Sequence, residues 1–418
     1  MALVRFRADW LLPIADEPVR DGWVAIEDGR IVEVGRGHAT DARSLGSAVI
    51  LPALVNAHTH LELSYLHARI PRAPRFGQWV RAVMTMRQDY PDAGDARILE
   101  PARRAVADSR AAGTGLIGDV SNTLVTVPLL REARFPAHVF HELTGFTEQD
   151  PEARVRDARV RVDALGPGAG DVRLSIAPHA PYSVSAALFQ AIRADVDAHA
   201  FAISTVHLGE TPDEVELLRH GTGDLRSVLQ DLGRWPPEWR PPGASPVQYL
   251  EDLGVLDSRV LAVHGVQFDG EDLTRLAALG VTVVSCPRSN AYVGVGSPPL
   301  DVFYAMDVDV AFGTDSLASV ADLNLFAELK EARRVASRVP ARRLLESATW
   351  IGARALGFAG DFGTIEPGKR AALIAVRVPE GIGDVEEYLL SGIEPPQVQW
   401  LDDGLPPAST VARPRSEA

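Results

Sequence analysis

Eight short apolar runs set the strongest constraint on how this chain folds. In order they read AVILPALVNAH, GTGLIGDV, AHVFHEL, VRLSIAPHAP, AISTVHLGE, VLAVHGVQ, VTVVSCPRSN and DVAFGTDS. Most are rich in Val, Ile and Leu and lack the polar alternation of a sheet with one wet face, so they read as strands buried on both sides. Helical patterns separate many of them, as in FGQWVRAVMTMRQDY, PEARVRDARVRVDAL and SAALFQAIRADVDAHA. Such alternation predicts an α/β fold of parallel βα units, most simply a (β/α)8 TIM barrel over residues 51–359. A doubly wound open sheet is the rival, weakened because no GxGxxG follows the first strand.

The two ends of the chain have a different texture. DGWVAIEDGRIVEVGRG near the start and GTIEPGKRAALIAVRVP near the end place turn signals between short β patterns. They predict one small β-sandwich domain built from residues 1–50 and 360–418, with a loosely held tail after about residue 395. Residues 211–259 interrupt the barrel rhythm with a Pro/Trp-rich insertion, GRWPPEWRPPGASPVQYL at its centre. An insertion of that size is usually functional or carries its own helices, and we expect it to wall or cover the site.

Composition removes several classes of function. With 42 Lys and Arg against 56 Asp and Glu, the formal charge is −14, which offers no footprint for a phosphate backbone. No apolar run approaches the roughly 20 residues needed to span a bilayer, and the N-terminus reads as a first strand rather than a secretory signal. The single cysteine, Cys286, fits a reducing cytoplasm and sits in an apolar strand as a core residue. The expected partner is a small molecule, not nucleic acid or membrane.

Polar residues gather at the ends of the predicted strands. His58 and His60 end the first, His179 the fourth, His207 the fifth and His264 the sixth, while Asp315 ends the eighth. Alternation along a strand sends residues i and i+2 the same way, so the two histidines of NAHTH project together. In a barrel, the carboxyl ends of the strands converge on the active-site face. An HxH pair, a later strand-end histidine and a final strand-end aspartate make a metal site, of a donor set that suits zinc or iron(II) rather than calcium or magnesium.

The segments NAHTH, APHAPYS, VHLGE, VHG, SCPRSN and GTDS, in this order, resemble the amidohydrolase superfamily in its deaminase and chlorohydrolase branch. The resemblance implies one divalent ion held by His58, His60, His207 and Asp315, with Glu210 as proton shuttle and His264 orienting the attacked group or water. Binuclear members bridge two metals with a carboxylated lysine on the fourth strand. That strand reads VRLSIAPHAP here, and the only lysines are Lys330 and Lys369, so a mononuclear site is expected, zinc first and iron second. Members of this branch are often homodimers. The stretch after NAHTHLELS also looks like aminodeoxyfutalosine deaminases, whose substrate joins an adenine base to a benzoate.

The residue types make chemical sense together. A metal lowers the pKa of bound water towards roughly 7. Asp315 can take the proton of that water, and Glu210 can protonate a ring nitrogen so that an electron-poor carbon is attacked and ammonia leaves. His179 occupies a position where family members touch substrate. Trp79 is a candidate to stack on a base, Glu142 to read a substrate N–H, and Arg72, Arg75 and Arg288 to bind an anionic group. The expected activity is hydrolytic deamination of an amino-substituted heteroaromatic ring. The alternative is a cyclic amide (lactam) hydrolase or chlorohydrolase on the same site; a non-catalytic scaffold would not need Glu210, His264 and Asp315 together.

Overall fold

The computed structural model describes residues 3–166, 171–200 and 202–401. The eight apolar runs supply eight parallel strands: β1 (Leu54–Thr59), β2 (Thr114–Ser121), β3 (Ala137–Leu143), β4 (Val172–Pro178), β5 (Ser204–Leu208), β6 (Val260–His264), β7 (Thr282–Ser285) and β8 (Val310–Phe312). Strands β1 to β4 pair in sequential order as one sheet, and β5 to β8 as another. Thr59 and Asp315 form a parallel bridge between the outer edges, where the Asp315 amide donates to the His58 carbonyl at 3.0 Å. On the other side the His207 amide donates to the His179 carbonyl at 2.9 Å.

Helices cross over between strands, as parallel pairing requires. Asp95, Asp150, Ser185, Asp269 and Asn324 each cap one, accepting a hydrogen bond from a first-turn backbone N–H, a contribution of about 1 kcal/mol apiece. Strand residues such as Val139, Val206 and Phe312 pack against helix residues Ile192, Leu273 and Leu329 in one apolar cluster. Leu116, Phe140, Leu261, Val284 and Ala311, drawn from both sheets, form a second cluster with Ile351, Leu356 and Phe358. The Leu356 carbonyl accepts from His138 Nδ1 near the start of β3 at 3.2 Å, and the Gly357 carbonyl from Arg173 near the start of β4. This segment therefore covers the amino ends of the strands, leaving the carboxyl ends for chemistry.

Two smaller sheets use the chain ends. Arg30–Arg36, Gly22–Glu27, Val4–Arg7 and Arg43–Ser44 make one, in that order; Val398–Trp400, Leu373–Arg377, Ala48–Pro52, Trp10–Leu11 and Val19–Arg20 make the other. Phe6, Val24, Ile31, Ile50, Leu373 and Leu401 share a single apolar cluster between them.

Two sequence expectations change here. The run AVILPALVNAH is two strands, not one: Ala48–Pro52 belongs to a terminal sheet and Leu54–Thr59 to the parallel set. Pro52 has no N–H to continue the ladder, which makes it a natural break. The tail is also not loose from residue 395, since Val398–Trp400 pairs antiparallel with Leu373–Arg377 and Trp400 Nε1 donates to the Arg110 carbonyl at 2.7 Å. The tail beyond residue 401 lies outside the described residues. No helix among the described residues is long and apolar enough to cross a membrane.

Candidate active site

The carboxyl ends of β1, β5, β6 and β8 bring four imidazoles and a carboxylate together. His60 Nε2 lies 3.2 Å from His207 Nε2. Asp315 Oδ1 lies 3.5 Å from His60 Nε2 and 3.8 Å from His58 Nε2. The close approach of β8 to β1 depends on Gly313, where a Cβ would come within 2.7 Å of His58 Cβ. His264 and Asp315 both adopt positive φ, 79° and 62°, a conformation costing a non-glycine residue roughly 1–3 kcal/mol. Hydrogen bonds hold each in place. Ser289 Oγ donates to Asp315 Oδ2 at 2.6 Å, and His264 Nδ1 donates to Asn290 Oδ1 at 2.9 Å.

These residues fit a divalent metal ion. Both ring nitrogens of His58 are buried with no hydrogen-bond partner, an expensive arrangement unless a ligand uses one of them. His207 Nδ1 donates to the His179 carbonyl at 3.0 Å, which leaves its Nε2 lone pair facing His60. Burial, reinforced by the neighbouring imidazoles, holds His58 and His60 well below the ordinary histidine range. Burial also lowers His264, to about 4. The rings are therefore neutral near pH 7, the form that ligates metals. His58, His60 and His207 form one compact donor group, and Asp315 adds the carboxylate.

Glu210 follows β5, with Oε1 3.7 Å from His264 Nε2. Burial, then the carboxyl groups of Asp315 and Glu214, push its pKa well above the usual range. Both effects favour its protonated form, the form that can act as an acid. Beside it, His179 Nδ1 donates to Ser183 Oγ at 2.6 Å, and burial lowers its pKa to about 4. Glu142 ends β3, accepts from Asn122 Nδ2 at 2.8 Å, and is raised by burial.

His60, Glu142, His179, His207, Glu210, His264 and Asp315 line one cavity of about 390 Å³, large enough for a nucleoside-sized ligand. Trp79 lies in its wall on the helix Phe76–Gln88, with a buried Nε1 that has no partner. The insertion contributes Leu225, Val228, Leu229 and Leu232 beside that helix, from the helix Asp224–Asp231 and the residue after it, which is the wall expected from the sequence.

The arginine assignments need correction. Arg72 lies over the Tyr292 ring at 5.0 Å, and Arg75 precedes the helix Phe76–Gln88; neither lines the cavity. Arg288 is held by Asp322 at 2.8 Å, near the buried Glu328, and it too lies outside. The arginines that do line the cavity are Arg87, Arg154, Arg161 and Arg234. Arg154, Asp157 and Arg161 share one helix face at i, i+3 and i+7, a pattern visible in the sequence but one among 40 arginines. Cys286 is buried in the inner apolar cluster, as expected.

Comparison with known proteins agrees with this geometry. The sequence pattern of the Amidohydrolase family matches residues 49–403. The chain belongs to the amidohydrolase family. This amidohydrolase is 31% identical over 383 residues to a 5-methylthioadenosine/S-adenosylhomocysteine deaminase from Moorella thermoacetica, covering 88% of the chain and 83% of the relative. It is 33% identical over 336 residues to an aminodeoxyfutalosine deaminase from Deinococcus radiodurans, covering 77% and 76%. Among solved structures, an adenosine deaminase from Xanthomonas campestris with bound zinc matches with a TM-score of 0.80 at 26% identity, over 94% of this chain and 90% of that one.

Proposed function

We propose that this amidohydrolase is a mononuclear metal-dependent deaminase of adenine nucleoside derivatives that carry an anionic substituent. The observation that carries the reading is the buried Glu210 carboxyl facing the same cavity as His60, His207, His264 and Asp315. The relatives named above support the deaminase class, and the zinc in the Xanthomonas campestris structure supports zinc as the ion. We also read the two parallel sheets as one closed (β/α)8 barrel and the terminal sheets as a β-sandwich. The Thr59–Asp315 bridge and the apolar clusters shared between sheets support both.

His58, His60, His207 and Asp315 would hold the ion, which when bound supplies an activated water at neutral pH. The protein's own groups handle the protons. Asp315 Oδ1, facing His58 and His60, accepts the proton of the attacking water. Glu210 gives its proton to the ring nitrogen beside the attacked carbon, removing the negative charge that would otherwise build there. The C–N bond breaks once the amine nitrogen receives the proton held by Asp315; ammonia leaves, and the new hydroxyl gives its remaining proton to the Glu210 carboxylate as the C=O forms, which restores the acid. His264 orients the water from a ring fixed by Asn290. Trp79 offers a face for the base.

Arg154, Arg161 and Arg234 form no ion pair among the described residues, and they suit a carboxylate at the far end of the substrate. Aminodeoxyfutalosine, with its benzoate, fits that arrangement. The test is ammonia release from adenosine, 5-methylthioadenosine, S-adenosylhomocysteine and aminodeoxyfutalosine. We expect the carboxylate-bearing nucleosides to give the higher kcat/KM. Silence on all four, alongside ring opening of a lactam or loss of chloride from a halogenated ring, would replace this reading with the alternative chemistry.

A further inference from the structure

Glu214 is a fully buried carboxylate with no cation within ion-pair distance among the described residues. Removing such a group from water costs several kcal/mol unless its oxygens are bonded, so its bonds matter. Both oxygens accept from backbone amides: Oε1 from Gly209 at 3.2 Å and Oε2 from Glu210 at 3.0 Å. Glu214 occupies the third position of the helix Pro212–His220, capped by Thr211. In an ordinary capping box that carboxylate would bond to the cap residue's own N–H. Here it reaches past Thr211 to the two residues before it.

The same turn is held from its other side. Gly209 has φ +64° and its carbonyl accepts from the Gln267 amide at 2.8 Å. A Cβ at Gly209 would lie 2.5 Å from Phe268 Cε1, so that side is already closely packed. The backbone from which the Glu210 side chain leaves is thus gripped between Phe268 and the Glu214 carboxylate. We propose that Glu214 is the positioning residue for Glu210, fixing the backbone so that the Glu210 carboxyl meets the substrate in register.

The inference rests on the reading of Glu210 as the group that moves a proton, and the test separates the two. Glu214→Gln keeps the size but leaves one acceptor oxygen and turns an NH2 towards a backbone N–H. In the metal-loaded enzyme it should lower kcat about tenfold or more, the scale of a lost hydrogen bond to a buried backbone amide. KM should stay within about twofold, with about one metal retained per chain. Hydrogen exchange at the Gly209 and Glu210 amides should speed up about tenfold, while distant core amides keep their protection.

A residue acting through Glu210 adds nothing once Glu210 is gone, so Glu210→Gln/Glu214→Gln should be no slower than Glu210→Gln. A general loss of structure would multiply instead. Should Glu214→Gln not yield folded protein, Glu214→Asp keeps the carboxyl one methylene short, and the same kcat loss and non-additivity are expected. A folded variant with wild-type kcat, a kcat loss that tracks lost metal, or multiplied effects in the double variant would overturn the inference while leaving Glu210 in place. Full activity in Glu210→Gln would remove both readings together.

Discussion

The two ends of the cavity are built on different principles. At the metal end the functional groups stand on or just after strands, are buried, and have their orientations set by bonds to neighbours, as with Ser289 on Asp315 and Asn290 on His264. At the other end Arg154 and Arg161 stand on a surface helix and Arg234 in the insertion, without ion pairs among the described residues. A group whose place is fixed by a packed sheet suits a reaction that must be aligned to fractions of an ångström. Unpaired arginines on helices suit recognition, where a mobile, charged fork tolerates variation in its ligand. In the proposed function, chemistry and specificity therefore lie on separable parts of the fold.

Substitutions should divide the same way. The largest effect is expected from Asp315→Asn, which removes the proposed metal ligand and proton carrier at once. Metal content should fall and kcat should drop by about a thousandfold or more, measured by metal analysis beside ammonia release; retention of both metal and rate would erase the distinction at its root. Glu210→Gln should keep about one metal per chain and lose about a hundredfold in kcat, a split that separates proton transfer from metal binding. At the far end, Arg154→Met with Arg161→Met should raise KM for a carboxylate-bearing nucleoside about tenfold or more. It should leave kcat, and both constants for neutral adenosine, unchanged. Equal losses on both substrates would place these arginines in the fold rather than in recognition. The smallest effect belongs to Trp79→Leu, about a threefold rise in KM for every adenine compound through loss of stacking.

The metal end was legible in the sequence because strand geometry is regular. NAHTH sends two imidazoles to one side, and each later strand-end polar residue adds to the same face. Glu210 was legible for a related reason, since three residues past His207 leaves it on the turn above the sheet. The arginine end was not legible. Arg72, Arg75 and Arg288 stood close to site segments in sequence, yet packing turned them to Tyr292, to the start of a helix, and to Asp322 and Glu328. Arg154 and Arg161 reach the cavity only because the helix Pro151–Ala164 lies beside it. Helix placement over a sheet is a tertiary fact that periodicity alone does not carry. Glu214 was hidden for another reason: an acid in a first helical turn reads as a solvated dipole partner, and only its burial and its bonds to Gly209 and Glu210 mark it out. The split of the run at Pro52 belongs to the same class, a boundary that hydropathy crosses without a change of character.

A single metal ion serving a proton-handling cavity is central to the proposed function, and metal removal tests it most directly. Protein stripped with a chelator and dialysed should release no ammonia from an adenine nucleoside. Activity should return in proportion to added zinc and reach its plateau at about one equivalent per chain. Undiminished deamination by metal-free protein, or a plateau reached only at two equivalents, would contradict it.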